Sequence, residues 1–152
     1  MINVNISAAT LMTHLVLPKM ELRRKGAVIN LASVSGQSPQ PLQSVYAATK
    51  AYLDFFSRGL QVEYSGKGLT IQTLSPSYIC TTMTSFSEKM TRPSFFVPSP
   101  QAFAQSSIRT LGFSSHTTGY WPHSLQNLLP FAFMPRFIFA LNQKFRKDYL
   151  LL

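Results

Sequence analysis

Residues 26–50, GAVINLASVSGQSPQPLQSVYAATK, are the part of the sequence that decides the fold. The run from Gly26 to Ala32, apolar except for Asn30, is typical of a buried strand in a parallel sheet, which carries apolar side chains on both faces. A loop rich in Ser, Gln and Pro follows over 34–44, and Ser44 is placed to cap the helix that begins after it. The stretch therefore predicts a strand, a loop and a helix in that order.

The neighbouring segments continue this alternation of helices and strands. Residues 4–24 carry apolar side chains along a predicted helix with basic residues at its end, and Gly26 closes that helix and begins the strand. The next helix is expected over 45–64, and it is apolar nearly all round, which is typical of a helix that is buried or lies at a subunit interface. Residues 69–74 are a second predicted strand, which Pro76 ends. This order predicts an α/β parallel sheet with right-handed crossovers.

The rest of the chain has a less regular pattern. Residues 78–100 are rich in Thr, Ser, Met and Pro and are expected to form a mobile segment beside a binding site. A helix is expected over 100–111 and a third strand over 117–121. Residues 125–152 form an apolar tail with a basic end, and two prolines and an arginine interrupt it, which favours an interfacial or pocket-forming segment over a transmembrane helix. We therefore divide the chain into a main portion, 1–124, and this tail.

Composition limits the class of protein. The chain has 152 residues, 45% of them apolar, which suits one domain with a substantial core. The single cysteine, Cys80, excludes an internal disulfide and fits a reducing, intracellular compartment. The net charge of +9 comes from scattered basic residues with small clusters at 23–25 and 144–147, so we predict no nucleic-acid partner and favour an acidic membrane surface for the second cluster. The histidines lack metal-site spacing, and we predict no metal.

Ser33, Tyr46 and Lys50 are the residues to which we assign chemistry. A Tyr and a Lys four residues apart lie on one face of a helix, and an ammonium beside a phenol favours the phenolate, which can exchange a proton with a substrate oxygen. Lys50 and Asp54 are the only charged residues over 26–57, so the lysine has an apolar environment. Ser33 directly follows the first strand, where ligands bind in open α/β sheets, and can donate a hydrogen bond to the same oxygen. The three residues predict interconversion of a carbonyl and an alcohol.

These residues resemble the motif of the short-chain dehydrogenase/reductase family, in which Tyr-x-x-x-Lys follows an active-site Ser by thirteen residues. Asn5 matches the fourth active-site residue of the family, and Pro76-Ser77 resembles its Pro-Gly motif with Ser in place of Gly. Thr81 and Thr82 match hydroxyl groups that follow this motif near the nicotinamide. Further segments are similar to the branch of 17β-hydroxysteroid dehydrogenases and very-long-chain 3-oxoacyl-CoA reductases: 16–20, 52–57, 62–64, 97–100 and 118–123.

The resemblance implies four catalytic residues. Tyr46 would be the general acid in reduction, and Lys50 would support it and hold the nicotinamide ribose. Ser33 would bind the substrate oxygen, and Asn5 would hold a water molecule in a proton relay. The branch implies a lipophilic substrate, either a 3-oxoacyl-CoA or a steroid.

The resemblance also implies a cofactor site for NADP(H), formed by Tyr46, Lys50, Pro76, Thr81 and Thr82. The Gly-rich strand–turn–helix with which the family cradles the pyrophosphate has no counterpart in this sequence. The expected fold is accordingly the C-terminal part of a Rossmann-like doubly wound parallel sheet that lacks the N-terminal dinucleotide-binding strands. For this chain alone we expect weak or no cofactor binding.

Two other interpretations remain open beside the reductase. The chain could be a catalytically inactive hydroxysteroid dehydrogenase-like protein that acts as a binding or dimerisation partner through the helices at 5–24 and 45–64, which pair in homodimers of the family. It could also be a peripheral membrane module that acts through the tail at 125–152. Association with the endoplasmic reticulum membrane is the expected location, with the mitochondrion as the alternative.

Overall fold

The computed structural model describes residues 1–85 and 90–128. The part of the predicted tail from 129 to 152 lies outside the described residues. The described elements are helix α1 (Ala8–Leu22, preceded by a π-helical turn at Asn3–Ser7), strand β1 (Gly26–Leu31), helix α2 (Ser44–Glu63), strand β2 (Leu69–Leu74), helix α3 (Pro100–Ile108), strand β3 (His116–Thr117) and helix α4 (Trp121–Leu128).

The three strands form one parallel sheet in the order β1-β2-β3. β1 and β2 pair along their whole length, from Gly26 opposite Leu69 to Leu31 opposite Leu74. The carboxyl ends of both strands therefore lie at one edge of the sheet, where ligands bind in folds of this type. The α/β prediction is confirmed, and the first two strands have nearly the predicted bounds.

Helices α1 and α2 pack against one face of the sheet. Leu17 of α1, Leu60 of α2 and Ile71 of β2 form the buried cluster, and Val28 of β1 packs against it. Each such side chain contributes about 1.5–3 kcal/mol when it is fully buried. On the opposite face, Gln72 of β2 donates hydrogen bonds to the chain that follows α3. The chain after α3 thus covers part of the face opposite α1 and α2.

The prediction that β1 is buried on both faces is wrong. Asn30 is buried and its Nδ2 donates to Ser57 Oγ of α2 at 2.8 Å, whereas Ile29 and Leu31 keep 43% and 49% of their surface exposed. Within the described residues, α1 and α2 cover the side of β1 that carries Val28 and Asn30. The alternate side chains point to the opposite face, where, over 1–85 and 90–128, the chain after α3 bonds to β2 and leaves Ile29 and Leu31 of β1 partly exposed.

Three predicted boundaries are also wrong. Ser44 is not the cap of α2: the amide of Ala47 donates to the carbonyl of Gln43, so Ser44 already lies inside the helix. The strand expected over 117–121 is only His116–Thr117, because Gly119 has φ +73° and turns the chain into α4. The helix expected over 100–111 ends at Ile108 and continues as turns.

Helix α2 is neither fully buried nor covered on its apolar outer side. Its inner side buries five residues: Ala47, Thr49, Leu53, Ser57 and Leu60. On the outer side, Phe55 and Val62 are 68% and 78% exposed. An exposed apolar side suits a subunit interface, and that interpretation of α2 stays a prediction. No helix among the described residues is long and apolar enough to cross a membrane.

Candidate active site

Lys50 extends from α2 to the carboxyl end of β1. Its Nζ donates a hydrogen bond to the carbonyl oxygen of Leu31 at 2.8 Å, and it lies 5.7 Å from the centre of the Tyr46 ring. Burial lowers the pKa of Lys50 below its usual value of 10.5, because a desolvated ammonium is less stable than a hydrated one. An ammonium has three donors, so two remain for a ligand after the bond to Leu31.

Asn5 is connected to the Tyr-Lys helix through a residue that the sequence pattern did not single out. Its Nδ2 donates to Thr49 Oγ1 at 2.9 Å, and Thr49 Oγ1 donates to the carbonyl oxygen of Tyr46 at 2.8 Å. Thr49 is 1% exposed. Asn5 itself lies in the π-helical turn before α1, and such turns occur often at functional sites. Asn5 and Tyr46 are therefore held together by a buried threonine hydroxyl.

Ser33 stands between β1 and a 3₁₀ turn at Val34–Gln37. Its backbone is extended, and its Oγ accepts a hydrogen bond from the amide of Ser35 at 3.1 Å, which starts the turn. Gly36 in that turn lies directly against α2: a Cβ there would be 2.6 Å from the nitrogen of Ala51 and 2.7 Å from the carbonyl carbon of Lys50. The absence of a side chain at Gly36 allows the turn that carries Ser33 to pack against the helix that carries Lys50.

The chain after β2 joins this turn. The amide of Val34 donates to the carbonyl of Pro76 at 3.1 Å, and Pro76 is buried. Two residues later, burial raises the pKa of Tyr78 above 10, and interaction with Tyr46 adds to the increase. Nothing in the sequence pattern indicated Tyr78.

Thr81 and Thr82 belong to the same segment, farther from the Tyr-Lys pair in the chain. The amide of Thr81 donates to Thr84 Oγ1 at 3.0 Å, which begins a 3₁₀ turn at Thr82–Thr84. Both threonines are exposed. Over 1–85 and 90–128, no hydrogen bond joins their hydroxyls to Tyr46 or Lys50. The structure thus brings Asn5, Tyr46 and Lys50 together. It links Ser33 to Pro76 through the neighbouring backbone. Thr81 and Thr82 have no such link to the Tyr-Lys pair among the described residues.

An aromatic cluster lies on the segment between β2 and α3 and on α4. Phe95 contacts Phe96 and Trp121 edge to face, with ring centres 5.0 Å and 5.3 Å apart. All three rings are exposed, and the hydroxyl of Tyr120 donates to the carbonyl of Phe95 at 3.3 Å. The cluster offers apolar surface. Among the described residues, no three His, Cys, Asp or Glu side chains are grouped as metal ligands would be.

An open parallel sheet with α1 and α2 on one face, the chain after α3 on the other and polar groups at the carboxyl ends of adjacent strands is typical of doubly wound α/β proteins. Within that class, residues 1–92 match the family model described as short chain dehydrogenase. The chain belongs to the short-chain dehydrogenase family.

Individual relatives agree with this assignment. The chain is 47% identical over 154 aligned residues to inactive hydroxysteroid dehydrogenase-like protein 1 of Homo sapiens, an alignment that covers 98% of this chain and 46% of that protein. It is 46% identical over 125 residues to very-long-chain 3-oxoacyl-CoA reductase-A of Danio rerio, covering 82% of this chain and 38% of that protein. The chain therefore spans less than half the length of these curated relatives.

A solved structure gives the same fold. The short-chain dehydrogenase of Sphingobium yanoikuyae in complex with NADPH superimposes with a TM-score of 0.67 at 25% identity, over 97% of this chain and 55% of that one. The residues present here fit the nicotinamide-ribose end of such a dinucleotide, because Lys50 lies beside the Tyr46 ring at the carboxyl end of β1 and its ammonium has donors beyond the one that bonds to Leu31.

Proposed function

We propose that the protein takes part in NADP(H)-dependent interconversion of a carbonyl and an alcohol on a lipophilic substrate. The observation that carries the proposal is the half-buried Lys50, which is held at the end of β1 beside Tyr46. Partial burial costs the Lys50 ammonium part of its hydration, a cost that a lysine with no function would avoid by staying in water. The partial desolvation of Lys50 therefore favours a functional role. Membership of the short-chain dehydrogenase family supports the reaction class.

The protein's own residues would move and hold the proton. In reduction, Tyr46 donates its phenolic proton to the substrate oxygen, and Lys50 stabilises the phenolate that results. Ser33 holds the same oxygen, and Thr49 fixes Asn5 next to the Tyr46 backbone, where Asn5 can retain a water that returns the proton. When bound, the nicotinamide dinucleotide supplies or accepts the hydride. Pro76, Thr81 and Thr82 are proposed to border the nicotinamide.

The proposed substrate class is a long-chain 3-oxoacyl-CoA or a steroid. The name of the Danio rerio relative specifies the first, and the aromatic cluster of Phe95, Phe96 and Trp121 provides exposed apolar surface beside the segment that follows β2. Such surface favours an acyl chain or a steroid ring over a small polar substrate.

Tyr46→Phe tests the proposed reaction. The protein is produced from the longest open reading frame that contains this sequence, and NADPH oxidation is followed with a 3-oxoacyl-CoA and with a keto-steroid. We expect Tyr46→Phe to lower kcat/KM by at least ~100-fold, because general acid catalysis contributes about 10²–10⁴-fold. Tyr52→Phe is the matched control: Tyr52 lies on the same helix, and its hydroxyl bonds to Thr10 Oγ1 at 2.7 Å, away from Lys50. Equal turnover in both variants would sink the assignment of Tyr46.

A non-enzymatic role is the second candidate, and the word "inactive" in the name of the human relative favours it. We infer a homodimer through α1 and α2, because their outer sides expose Leu11, Leu15, Phe55 and Val62, the first two by 61% and 65%. Exposed apolar side chains on neighbouring helices favour an interaction site. Phe55→Lys is expected to raise the dimer dissociation constant at least tenfold in sedimentation, whereas Phe113→Lys, at a 91% exposed position after α3, leaves it unchanged. The same effect at both positions would contradict this interface.

Membrane association and an endoplasmic reticulum location, with the mitochondrion as alternative, are proposed from the tail and the sequence resemblance. The basic cluster at 144–147 would bind acidic lipid headgroups, with apolar residues of the tail entering the interface. Flotation with acidic vesicles, with and without residues 125–152, tests this point. Unchanged flotation after the deletion rules the tail out as the membrane anchor.

A further inference from the structure

His123 of α4 is a histidine without any exposed surface. Its ring packs against Tyr120 edge to face, with centres 5.1 Å apart, and against Phe103 of α3 at 6.2 Å. Its Nδ1 accepts a hydrogen bond from the backbone amide of Ser77 at 3.2 Å. A leucine would fill such a space without the cost of burying two polar ring nitrogens, so packing alone does not account for a histidine here.

The hydrogen bond from Ser77 connects α4 to the candidate active site. Ser77 follows Pro76, and the carbonyl of Pro76 accepts a hydrogen bond from the amide of Val34. Val34 is the next residue after Ser33. Two hydrogen bonds and a few covalent bonds therefore connect the His123 ring to the turn that carries the candidate substrate-binding serine.

We propose that His123 is a positioning residue whose unprotonated Nδ1 fixes the amide of Ser77 and so holds the Pro76–Tyr78 backbone against the turn after β1. The statement that this backbone borders a nicotinamide rests on the proposed function. The positioning of the backbone by His123 is independent of that function.

The electrostatics of the ring agree with an acceptor role. Burial lowers the pKa of His123 below its usual 6.5, and the backbone groups of Phe96 and Tyr78 act in the opposite direction to a smaller extent. The neutral ring is therefore favoured at physiological pH. Since Nδ1 accepts, the ring proton is assigned to Nε2, which is also buried.

Two variants separate hydrogen bonding from packing. In His123→Asn, the amide oxygen can stand where Nδ1 stood, whereas His123→Leu keeps the volume and removes the acceptor. Amide hydrogen exchange is measured by NMR on the full 152-residue chain. We expect protection of the Ser77 and Val34 amides to fall at least tenfold in His123→Leu and to stay within threefold of wild type in His123→Asn. The amide of Ile71, in the buried cluster, is the internal control for global unfolding.

The wild-type chain supplies a second measurement, which remains decisive if His123→Leu does not fold. The ¹⁵N shifts of the His123 ring should identify a neutral ring with its proton on Nε2, and acidification should shift the Ser77 amide with the same midpoint as the ring. A proton on Nδ1 at neutral pH, or equal loss of Ser77 protection in both variants, overturns the proposal. None of these readouts involves NADPH or turnover, so an inactive protein would refute the proposed function and leave this inference standing.

Discussion

Gly36 shows how much of the site depends on a residue that carries no functional group. Its Cα lies against the backbone of α2 at Lys50 and Ala51, so any side chain there would force the turn after Ser33 away from the helix. The sequence contained only an indirect signal, a glycine three residues after the candidate serine. Thr49 was missed for the same reason: its role depends on contacts between segments that are distant in the chain.

Gly36→Ala is expected to impair activity and stability together. The added Cβ would come within 2.6 Å of the Ala51 nitrogen, closer than packed atoms tolerate, so the turn must move. We expect a loss of roughly 1–3 kcal/mol in urea unfolding, as for other overpacked sites. Gly59→Ala is the control, since nothing lies within 4 Å of its Cβ position on α2. That variant should gain up to about 1 kcal/mol from helix propensity. Destabilisation of equal size in both variants would contradict the packing argument.

The buried ring of His123 predicts how stability depends on pH. The pKa of His123 is lowered by burial, so the unfolded state binds the proton more readily than the folded state does. The stabilising contribution is complete above the unfolded pKa near 6.5 and is lost as pH falls through the lower folded pKa. The free energy of unfolding of the wild type, measured in urea, should therefore be smaller at about pH 5 than at about pH 7.5. His123→Asn should show a smaller decrease over the same range, and a decrease of the same size would contradict the titration of His123.

At the scale of elements, β1, α2 and β2 were predicted within a few residues because each has a strong local pattern. β2 has its predicted bounds, 69–74, and α2 differs by one residue at each end. β3 was predicted with the wrong bounds and α4 was not predicted, since β3 pairs through two residues and α4 begins after a glycine-dependent turn. The burial of β1 was also misjudged, because a strand's own sequence does not specify which of its faces a neighbouring element covers.

Gln72 is the side chain that attaches β2 to the turn after α3. Its Nε2 donates to the carbonyl oxygens of Thr110 and Ser114 at 3.0 Å and 2.8 Å, and the residue has no exposed surface. Gln72→Leu should lower the unfolding free energy by about 1–3 kcal/mol, since the carbonyls of Thr110 and Ser114 each lose the hydrogen bond that Gln72 donates. Gln72→Glu should be more destabilising at pH 7, because a carboxylate would face those oxygens, and the difference should narrow at low pH as the carboxyl protonates.

The control for this charge effect is Gln101→Glu, an exposed position in the first turn of α3. A negative charge near a helix N-terminus is neutral or slightly stabilising, by about 0.3–1 kcal/mol. Thermal unfolding of the three variants at pH 7 and pH 4.5 completes the comparison. If Gln72→Glu is no less stable than Gln72→Leu at pH 7, the hydrogen bonds to Thr110 and Ser114 do not hold the turn.

At the scale of the whole molecule, the chain carries the candidate proton-transfer residues and lacks the motif that binds the pyrophosphate of a dinucleotide. Asn5, Tyr46 and Lys50 are placed together by α1, α2 and the end of β1, and the backbone at Pro76 lies beside the serine turn. The sequence contains no Gly-rich strand–turn–helix, and the chain spans 46% of its human relative. The residues present are proposed to contact a nicotinamide ribose, and none of the recognised motifs is of the type that binds a pyrophosphate or an adenine.

This asymmetry predicts which part of a dinucleotide the 152-residue chain recognises. Pyrophosphate binding in doubly wound folds comes mainly from a glycine-rich turn and the helix N-terminus after it. Without that motif, NADPH and reduced nicotinamide mononucleotide should bind this chain within threefold of each other, and both weakly. Calorimetric titration measures both affinities, and Lys50→Met should weaken both equally, because Lys50 would contact only the ribose that the two ligands share. Binding of NADPH at least a hundredfold tighter than the mononucleotide would show that this chain recognises the adenine end through residues that its motifs do not reveal.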